Sequence, residues 1–450
     1  MKFSRLVAAT AFAILPIGAA LAAPTAEEVK QLGTTLTAWG AIKAGNADGT
    51  IPPYEGGLTT PPPNYDKSNP GWRPDPFPND KPLFKIDASN MDQHADKLSD
   101  GIKAMLKKYP TFHLNVYPTR RTAAYPQKVL DETQKNIERC KMREDGDGLN
   151  PECRGGFPFP LPKNGHEVMW NKNATFFGEA KIDHRVSDYV KPNGEVVTTF
   201  AGPIYIEAGL HNERKPEWYF LQRTEFTGPA RSNGMTTIYY DLVANNERRS
   251  WSYLPATRRV RLAPDSAADT PIAAIGNAEV YDSSFMFVGK RDRYNFELIG
   301  KEEKYIPYNE YRLMYPEKGS PCEAEKRFMP NHIRPECQRW ELHRVWHVRL
   351  TLKEGKRHIY GKRDFYIDED AYYGGLQENY DLEGKIYRVD MTGITPAYEV
   401  PAPGIDNQIN HDLISGVYSA FYVTSKGTTV VPALKPGEVT SESITSQILK

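Results

Sequence analysis

From His166 onward, apolar and polar residues alternate with period two along much of the chain, the pattern of strands that bury one face. The longest alternation runs from Trp340 to Lys353. Its even positions (Trp340, Leu342, Arg344, Trp346, Val348, Leu350, Leu352) are mostly apolar, and its odd positions (Glu341, His343, Val345, His347, Arg349, Thr351, Lys353) are mostly polar. This predicts a half-buried antiparallel strand with a solvated odd face. Lys181–Tyr189 and Glu195–Phe200 flank Pro192-Asn193-Gly194, a hairpin signal. Further strands are expected at Glu217–Thr224, Thr236–Ala244, Arg249–Leu254, Arg259–Leu262, Tyr294–Leu298 and Tyr311–Tyr315. The turn Glu354-Gly355-Lys356 returns the chain into Arg357–Ile367, and another pair flanks Leu382-Glu383-Gly384-Lys385. Hairpins in this meandering order predict one large, strongly curved antiparallel sheet, a mainly β (α+β) class.

The stretch before His166 has a different pattern. Thr25-Ala26-Glu27-Glu28 carries the capping-box spacing of a helix start. Ten of the 31 residues from Pro52 to Pro82 are proline, which excludes regular helix and central strand. Such a segment either drapes over the domain or forms a free arm. Met91, Ala95, Leu98, Ile102 and Met105 recur at helical spacing, and a second helix is expected from Gln127 to about Lys141. The division that follows is a signal peptide at 1–22, an irregular Pro-rich and helical region at 23–165, and a β-rich domain with a C-terminal extension at 166–450.

The signal peptide rests on Lys2 and Arg5, an apolar run from Leu6 to Leu21, and Ala20-Leu21-Ala22, which fits the small-x-small cleavage rule. The run is too short, and broken by Pro16, for a membrane anchor of about 20 apolar residues. Export to a bacterial-type periplasm follows, with cleavage near Ala22 and peripheral rather than integral membrane association. The four cysteines agree, since an oxidising compartment lets disulfides persist. Of three connectivities, the local pairs Cys140–Cys153 and Cys322–Cys337 each enclose a loop-like stretch and are the ones expected. A zinc site would want closer spacing than either pair has. The chain balances 57 basic against 57 acidic residues, and loss of Lys2 and Arg5 with the signal peptide leaves the mature chain close to neutral. That balance gives no global electrostatic reason to expect nucleic acid.

Signatures of catalysis are missing: HExxH, GxSxG, SxxK, the phosphate-cradling loop and the dinucleotide glycine pattern do not occur. His343, His347 and His358 invite a metal reading. With the turn centred on Glu354-Gly355, however, His358 would pair near Thr351 and His347 near Lys362, too spread out for one ion. Solvated surface histidines are expected instead. Asp145-Gly146-Asp147-Gly148 lacks the full twelve-residue calcium pattern and is expected to be an acidic turn. No cofactor is expected.

The segment Trp251-Ser252-Tyr253-Leu254-Pro255-Ala256-Thr257-Arg258-Arg259-Val260-Arg261-Leu262 alternates two aromatics on one strand and crowds arginines on the next. It reads as an apolar pocket rimmed by cations, suited to an amphiphile with an anionic head. The same stretch resembles the signature of the LolA/LolB-like half-barrels of outer-membrane lipoprotein sorting. More specifically, the chain resembles a long, uncharacterised proteobacterial family known as outer membrane lipoprotein-sorting protein or by a domain-of-unknown-function label. Gly45–Pro52, Tyr305-Ile306-Pro307-Tyr308-Asn309 and Arg363–Asp370 carry the resemblance across the chain. It implies an incomplete β-barrel wrapped around helices, with an apolar concave face that shelters lipid or acyl chains, and it brings no catalytic residues. The expected function is therefore a non-enzymatic periplasmic carrier or accessory protein for a lipophilic ligand (lipid, acyl chain or lipoprotein), serving an envelope export system. Trp251, Tyr253, Arg258, Arg259, Arg261 and Trp346 are its candidate ligand-binding residues. The competing reading is a periplasmic hydrolase whose site assembles across the sheet.

Overall fold

The computed structural model describes residues 23–262, 268–272, 275–404, 407–438, 440 and 443–444, so the signal-peptide segment lies outside the described residues. Seventeen strands are present among them. In chain order they are β1 (Phe84–Ile86), β2 (Leu114–Val116), β3 (Ala180–Val190), β4 (Val196–Ala208), β5 (Trp218–Glu225), β6 (Thr236–Leu242), β7 (Arg248–Leu254), β8 (Arg259–Leu262) and β9 (Tyr294–Pro307). Then come β10 (Phe328–Met329), β11 (His332–Ile333), β12 (Trp340–Leu352), β13 (Lys362–Asp368), β14 (Gly375–Tyr380), β15 (Ile386–Gly393), β16 (Asn407–Asp412) and β17 (Tyr418–Val431). The helices are α1 (Ala26–Val29), α2 (Asp100–Lys108), α3 (Gln127–Arg139), α4 (Gly165–Asn173) and α5 (Tyr311–Met314).

Fifteen strands join one sheet that does not close, in the order β1-β2-β12-β13-β14-β15-β16-β17-β3-β4-β5-β6-β7-β8, with β9 also on β12. Its pairings are antiparallel, as the hairpin order predicts, except where Trp340 of β12 meets Val116 of β2 in parallel. The sheet thus incorporates two strands from before residue 165. The period-two segments fall where expected, apart from Tyr311–Tyr315, which is the helical turn α5. Burial explains that difference: Tyr311, Met314 and Tyr315 all pack into one aromatic cluster with Tyr398, which a helical turn allows and strand alternation does not.

The connection between β12 and β13 is longer than the Glu354-Gly355 turn implies. Thr351 pairs with Lys362 and His347 with Tyr366, so the register is shifted by four residues from the expected one. The larger departure is burial. Glu341, His343 and His347, expected on a solvated face, are 0, 1 and 5% exposed, and His358 is 5% exposed. Both faces of the central strands are covered by the chain's own helices and connecting segments.

One face carries the row Tyr366–Leu376–Met391–Ile409–Ala420 across five strands, and α2 packs against it through Ile102, Met105 and Leu106. Ser99 caps α2, accepting from Ile102 N, and Glu378 of β14 accepts from Gly101 N at 2.5 Å. Any Cβ on Gly101 would lie 2.6 Å from both Glu378 Oε1 and Val389 Cγ2, so glycine is what lets the helix start so close to the sheet. The Met91-to-Met105 periodicity is therefore split: a 3₁₀ turn over Met91–His94, then α2 beginning at Asp100. The opposite face, here the inner face, packs Val348, Leu350, Phe365 and Ile367 against Trp39, Phe157, Met169 and Tyr372. The Pro-rich stretch drapes over the domain, held where Arg73 meets Glu399 at 2.5 Å and Leu58 N donates to Thr122 O at 2.9 Å.

Both expected disulfides are present, Cys140–Cys153 at the end of α3 and Cys322–Cys337 beneath β12. Replacing Cys140 and Cys153 together by serine is expected to cost about 2–4 kcal/mol of stability, mainly by freeing the unfolded chain. Urea unfolding of the double variant reads this directly, and an unchanged midpoint would refute it.

Candidate functional site

The inner face of β3–β6, β16 and β17 bears a cavity of about 150 Å³. Ile204 and Ile206 on β4, Tyr239 on β6 and Phe421 on β17 supply its sheet wall. A covering segment closes it with Ile272, Ile275 and Phe285. That cover is a short hairpin, in which Ile272 N donates to Glu279 O and Tyr281 N to Thr270 O, followed by a 3₁₀ turn over Tyr281–Met286.

Polar contacts add to apolar packing, in which Phe285 meets Phe220 and Met286 joins the core with Phe365, to pin the cover to the sheet. Arg388 of β15 donates to Asn277 O at 2.7 Å, and Gln408 of β16 donates to Glu279 Oε1 at 2.8 Å. Arg363 of β13 reaches Asp282 Oδ1 at 2.9 Å and Ser283 Oγ at 2.9 Å. From α4, Lys172 donates to the carbonyls of Phe285 and Phe287 at 2.8 and 2.7 Å. Burial of this lysine pushes its pKa well below the usual value. A wall of isoleucines and aromatics under a cover held by directional bonds can take an apolar group and exclude water from it.

The six residues singled out in the sequence are not gathered there. Trp251 and Tyr253 lie on the outer face of β7, clustered with Ile238, Val260 and Ile444. Arg258 occupies the β7–β8 turn with φ of 51°. Arg261 does share the cavity's face, in the cross-strand row Ile204–Thr224–Thr237–Ser252–Arg261, but it sits four strands away on the last strand of the sheet with Arg259 beside it. Trp346 is 8% exposed in the other half of the sheet, stacked on Tyr372 and capped by Lys301 Nζ at 4.3 Å. None of the six lines the cavity.

The histidines form a second polar centre. His343 places Nε2 at 3.2 Å from Glu341 and Nδ1 at 3.2 Å from Asp368, under the Tyr308 ring at 3.9 Å. Asp370 takes a two-pronged contact from Arg121 at 2.8 and 2.7 Å, and Arg121 also donates to Ile42 O. His343, Asp368 and Asp370 offer atoms within 4.8 Å of one another, the spacing of a metal site. Here each is answered by protein: the imidazole holds two carboxylates and Asp370 holds a guanidinium. His347 is bound likewise, to Glu302 at 2.6 Å and Asp364 at 3.1 Å. The cluster is an internal ion network that ties residues 42–43 and 120–121 to the sheet. The Asp145–Gly148 stretch is a closed turn: Asp145 pairs with Arg143 at 2.8 Å, and Asp147 accepts from Arg291 N at 2.7 Å.

Trp346→Ala is expected to lose about 3–5 kcal/mol through the cavity it leaves, while a probe of the inner-face cavity still binds the folded fraction. Loss of probe binding with unchanged stability would contradict this placement. The network also sets a pH dependence. Burial opposes charging His343, but its bonds to Asp368 and Glu341 outweigh that and raise it from 6.5 to about 9. Its stabilisation is complete below its unfolded value and is lost as pH rises through about 9. Burial raises Glu310 to about 8 and Glu378 to about 7, and these too lose stability as pH rises through those values. The urea midpoint is expected to fall from pH 6 to pH 9, and to fall less in His343→Gln; equal midpoints at the two pH values would exclude the mechanism.

Residues 85–448 match the family model described as a protein of unknown function, DUF1329. An uncharacterized protein of Pseudomonas aeruginosa is 38% identical over 410 residues, covering 89% of this chain and 88% of that protein. Among solved structures, the chain is similar to a DUF1329 family protein from Desulfovibrio piger, with 13% identity, a TM-score of 0.42, and coverage of 62% of this chain and 97% of that one. A domain from Vibrio parahaemolyticus named for outer membrane lipoprotein sorting gives 13% identity, a TM-score of 0.43, and the same coverages. A LolA superfamily protein from Nitrosomonas europaea gives 10% identity and a TM-score of 0.36, covering 63% of this chain and all of that one. The family model spans most of the chain and the Pseudomonas relative nearly all of it, so the chain belongs to the DUF1329 family.

Proposed function

We propose that this protein is a periplasmic carrier or accessory protein for a lipophilic molecule, binding it in the inner-face cavity between the open sheet and its cover. The observation that carries the reading is the cavity itself, an apolar space walled by Ile204, Ile206, Phe285 and Phe421 in a chain with only modest hydrophobic content. At about 150 Å³ it is smaller than the roughly 300–1,000 Å³ of whole small-molecule sites. It therefore takes one end of a ligand, or the cover moves to admit more. Each methylene removed from water there contributes about 0.8 kcal/mol, so a short alkyl stretch suffices for measurable binding. Export with cleavage near Ala22 fits the two disulfides, which persist in an oxidising compartment. No described helix is long and apolar enough to cross a membrane.

The test is native mass spectrometry of the mature protein purified from periplasm without detergent, followed by extraction. A stoichiometric lipophile is expected. Ile206→Trp, which fills the cavity, is expected to lower the affinity for that molecule at least tenfold. A protein that is empty and takes up no apolar probe would defeat the proposal.

A further inference from the structure

Glu279 is 2% exposed, belongs to the cover, and faces the cavity. Its carboxylate accepts from Gln408 Nε2 at 2.8 Å and Asn410 Nδ2 at 3.2 Å, and from the Ser284 hydroxyl on its own segment. The cations that line the same cavity are already engaged: Lys181 and Arg185 both close on Asp183, at 3.1 and 3.0 Å. Arg388, a cation acting on Glu279 electrostatically, is turned to Tyr360 Oη, Asn277 O and Asp412. Beside it lies a second buried acid. Asp390 of β15 is paired across the sheet with Asn410, the residue that holds Glu279. One Asp390 oxygen accepts from Gln377 and Asn379 at 2.9 Å, and the other has no hydrogen-bond partner among the described residues. Four aromatic rings, Tyr239, Phe285, Tyr373 and Phe421, line the same cavity as Glu279, and one of them, Tyr239, already carries the Arg248 guanidinium at 3.9 Å.

We propose that the cavity selects ligands whose apolar body carries a positively charged nitrogen, a quaternary or protonated amine, seated against Glu279 and the aromatic rings. The inference rests on the carrier reading and adds the chemical class of the ligand. Aromatic faces and a carboxylate together attract a cation, and partial removal from water makes each contact stronger than in bulk solvent. An anionic head would meet the buried Glu279 and Asp183 carboxyls and cations already paired with Asp183. Burial, and then repulsion from Asp390, hold the Glu279 carboxyl well above the usual carboxylate range, which favours its proton over an uncompensated charge. A bound cation replaces that proton. Affinity for a permanent cation therefore rises with pH. The groups facing Glu279 in this balance are Asp390 and Arg388 on β15, Gln408 and Asn410 on β16, and Ser284 on its own segment. The Lys181–Asp183–Arg185 set on β3 lies across the cavity.

The experiment is calorimetric titration of the whole mature protein with octyltrimethylammonium, octanol and octyl sulfate, which share one chain and differ in head charge. The ammonium is expected to bind at least tenfold more tightly than octanol, with the sulfate weakest. Glu279→Gln keeps an amide-compatible shape and is expected to remove the ammonium preference, so that ammonium and octanol bind this variant with equal affinity. Equal affinity for ammonium and octanol in the unaltered protein, tightest binding of the sulfate, or a preference that survives in Glu279→Gln would each overturn the inference and leave the carrier reading standing. Binding of none of the three would overturn both. Should Glu279→Gln not fold, the ranking of the three probes on the unaltered protein decides alone.

Discussion

Burying the odd-numbered face of β12 places Glu341, His343 and His347 where water cannot answer their charge, and that constraint decides where the N-terminal third of the chain goes. A buried carboxylate needs a cation and further donors to offset its lost hydration. Arg121, brought in by the segment after β2, meets Asp370 and directs its remaining donors to the carbonyls of Ile42, Lys43 and Pro52. Arg120 N and Asn309 both donate to Glu341, and Lys301 closes on Glu369. Segments far apart in sequence are thereby held to one line of the sheet. Removing a member would leave a charge with no solvent to receive it, so the irregular N-terminal segments are fixed in place no less firmly than the strands.

What could be read from the sequence follows the same divide. Strands with one apolar and one polar face, β3 to β8 and β12, announce themselves by alternation. β16, Asn407–Asp412, does not, because its inner face carries Gln408 and Asn410 as hydrogen-bonding partners for the cover rather than apolar side chains. Helix α4 is buried nearly all round, Glu167 to Lys172 included, so no stripe marks it. The polar face of β12 looked solvated because alternation reports polarity, and polarity means exposure only when nothing else covers the strand. Local signals fared best. The cysteine pairing and the capping box at Thr25 depend on a few neighbouring residues, and both are present.

The candidate site was partly legible for the same reason. A concentration of aromatics and arginines in Trp251–Leu262 marks strands next to β6, which lines the cavity, but a period of two also sends neighbours to opposite sides. Trp251 and Tyr253 go outward while Ser252 and Arg261 go inward. The cavity's own residues come from six strands and from a cover that follows β8 in the chain. Nothing local in Ile272, Glu279 or Phe285 announces a shared space. Only the register of the assembled sheet brings them together.

An open sheet, unlike a closed barrel, ends in a strand whose outward amide and carbonyl groups can accept another strand. At one end that strand is β8, four residues long, entered through Pro255 and carrying exposed Arg259 and Arg261. Two copies meeting edge to edge there would set guanidinium against guanidinium, since Arg259–Leu262 carries no acid of its own. The arginines that looked like a ligand rim thus set like charges along an edge that an open sheet leaves unpaired, the device by which exposed edges discourage strand addition.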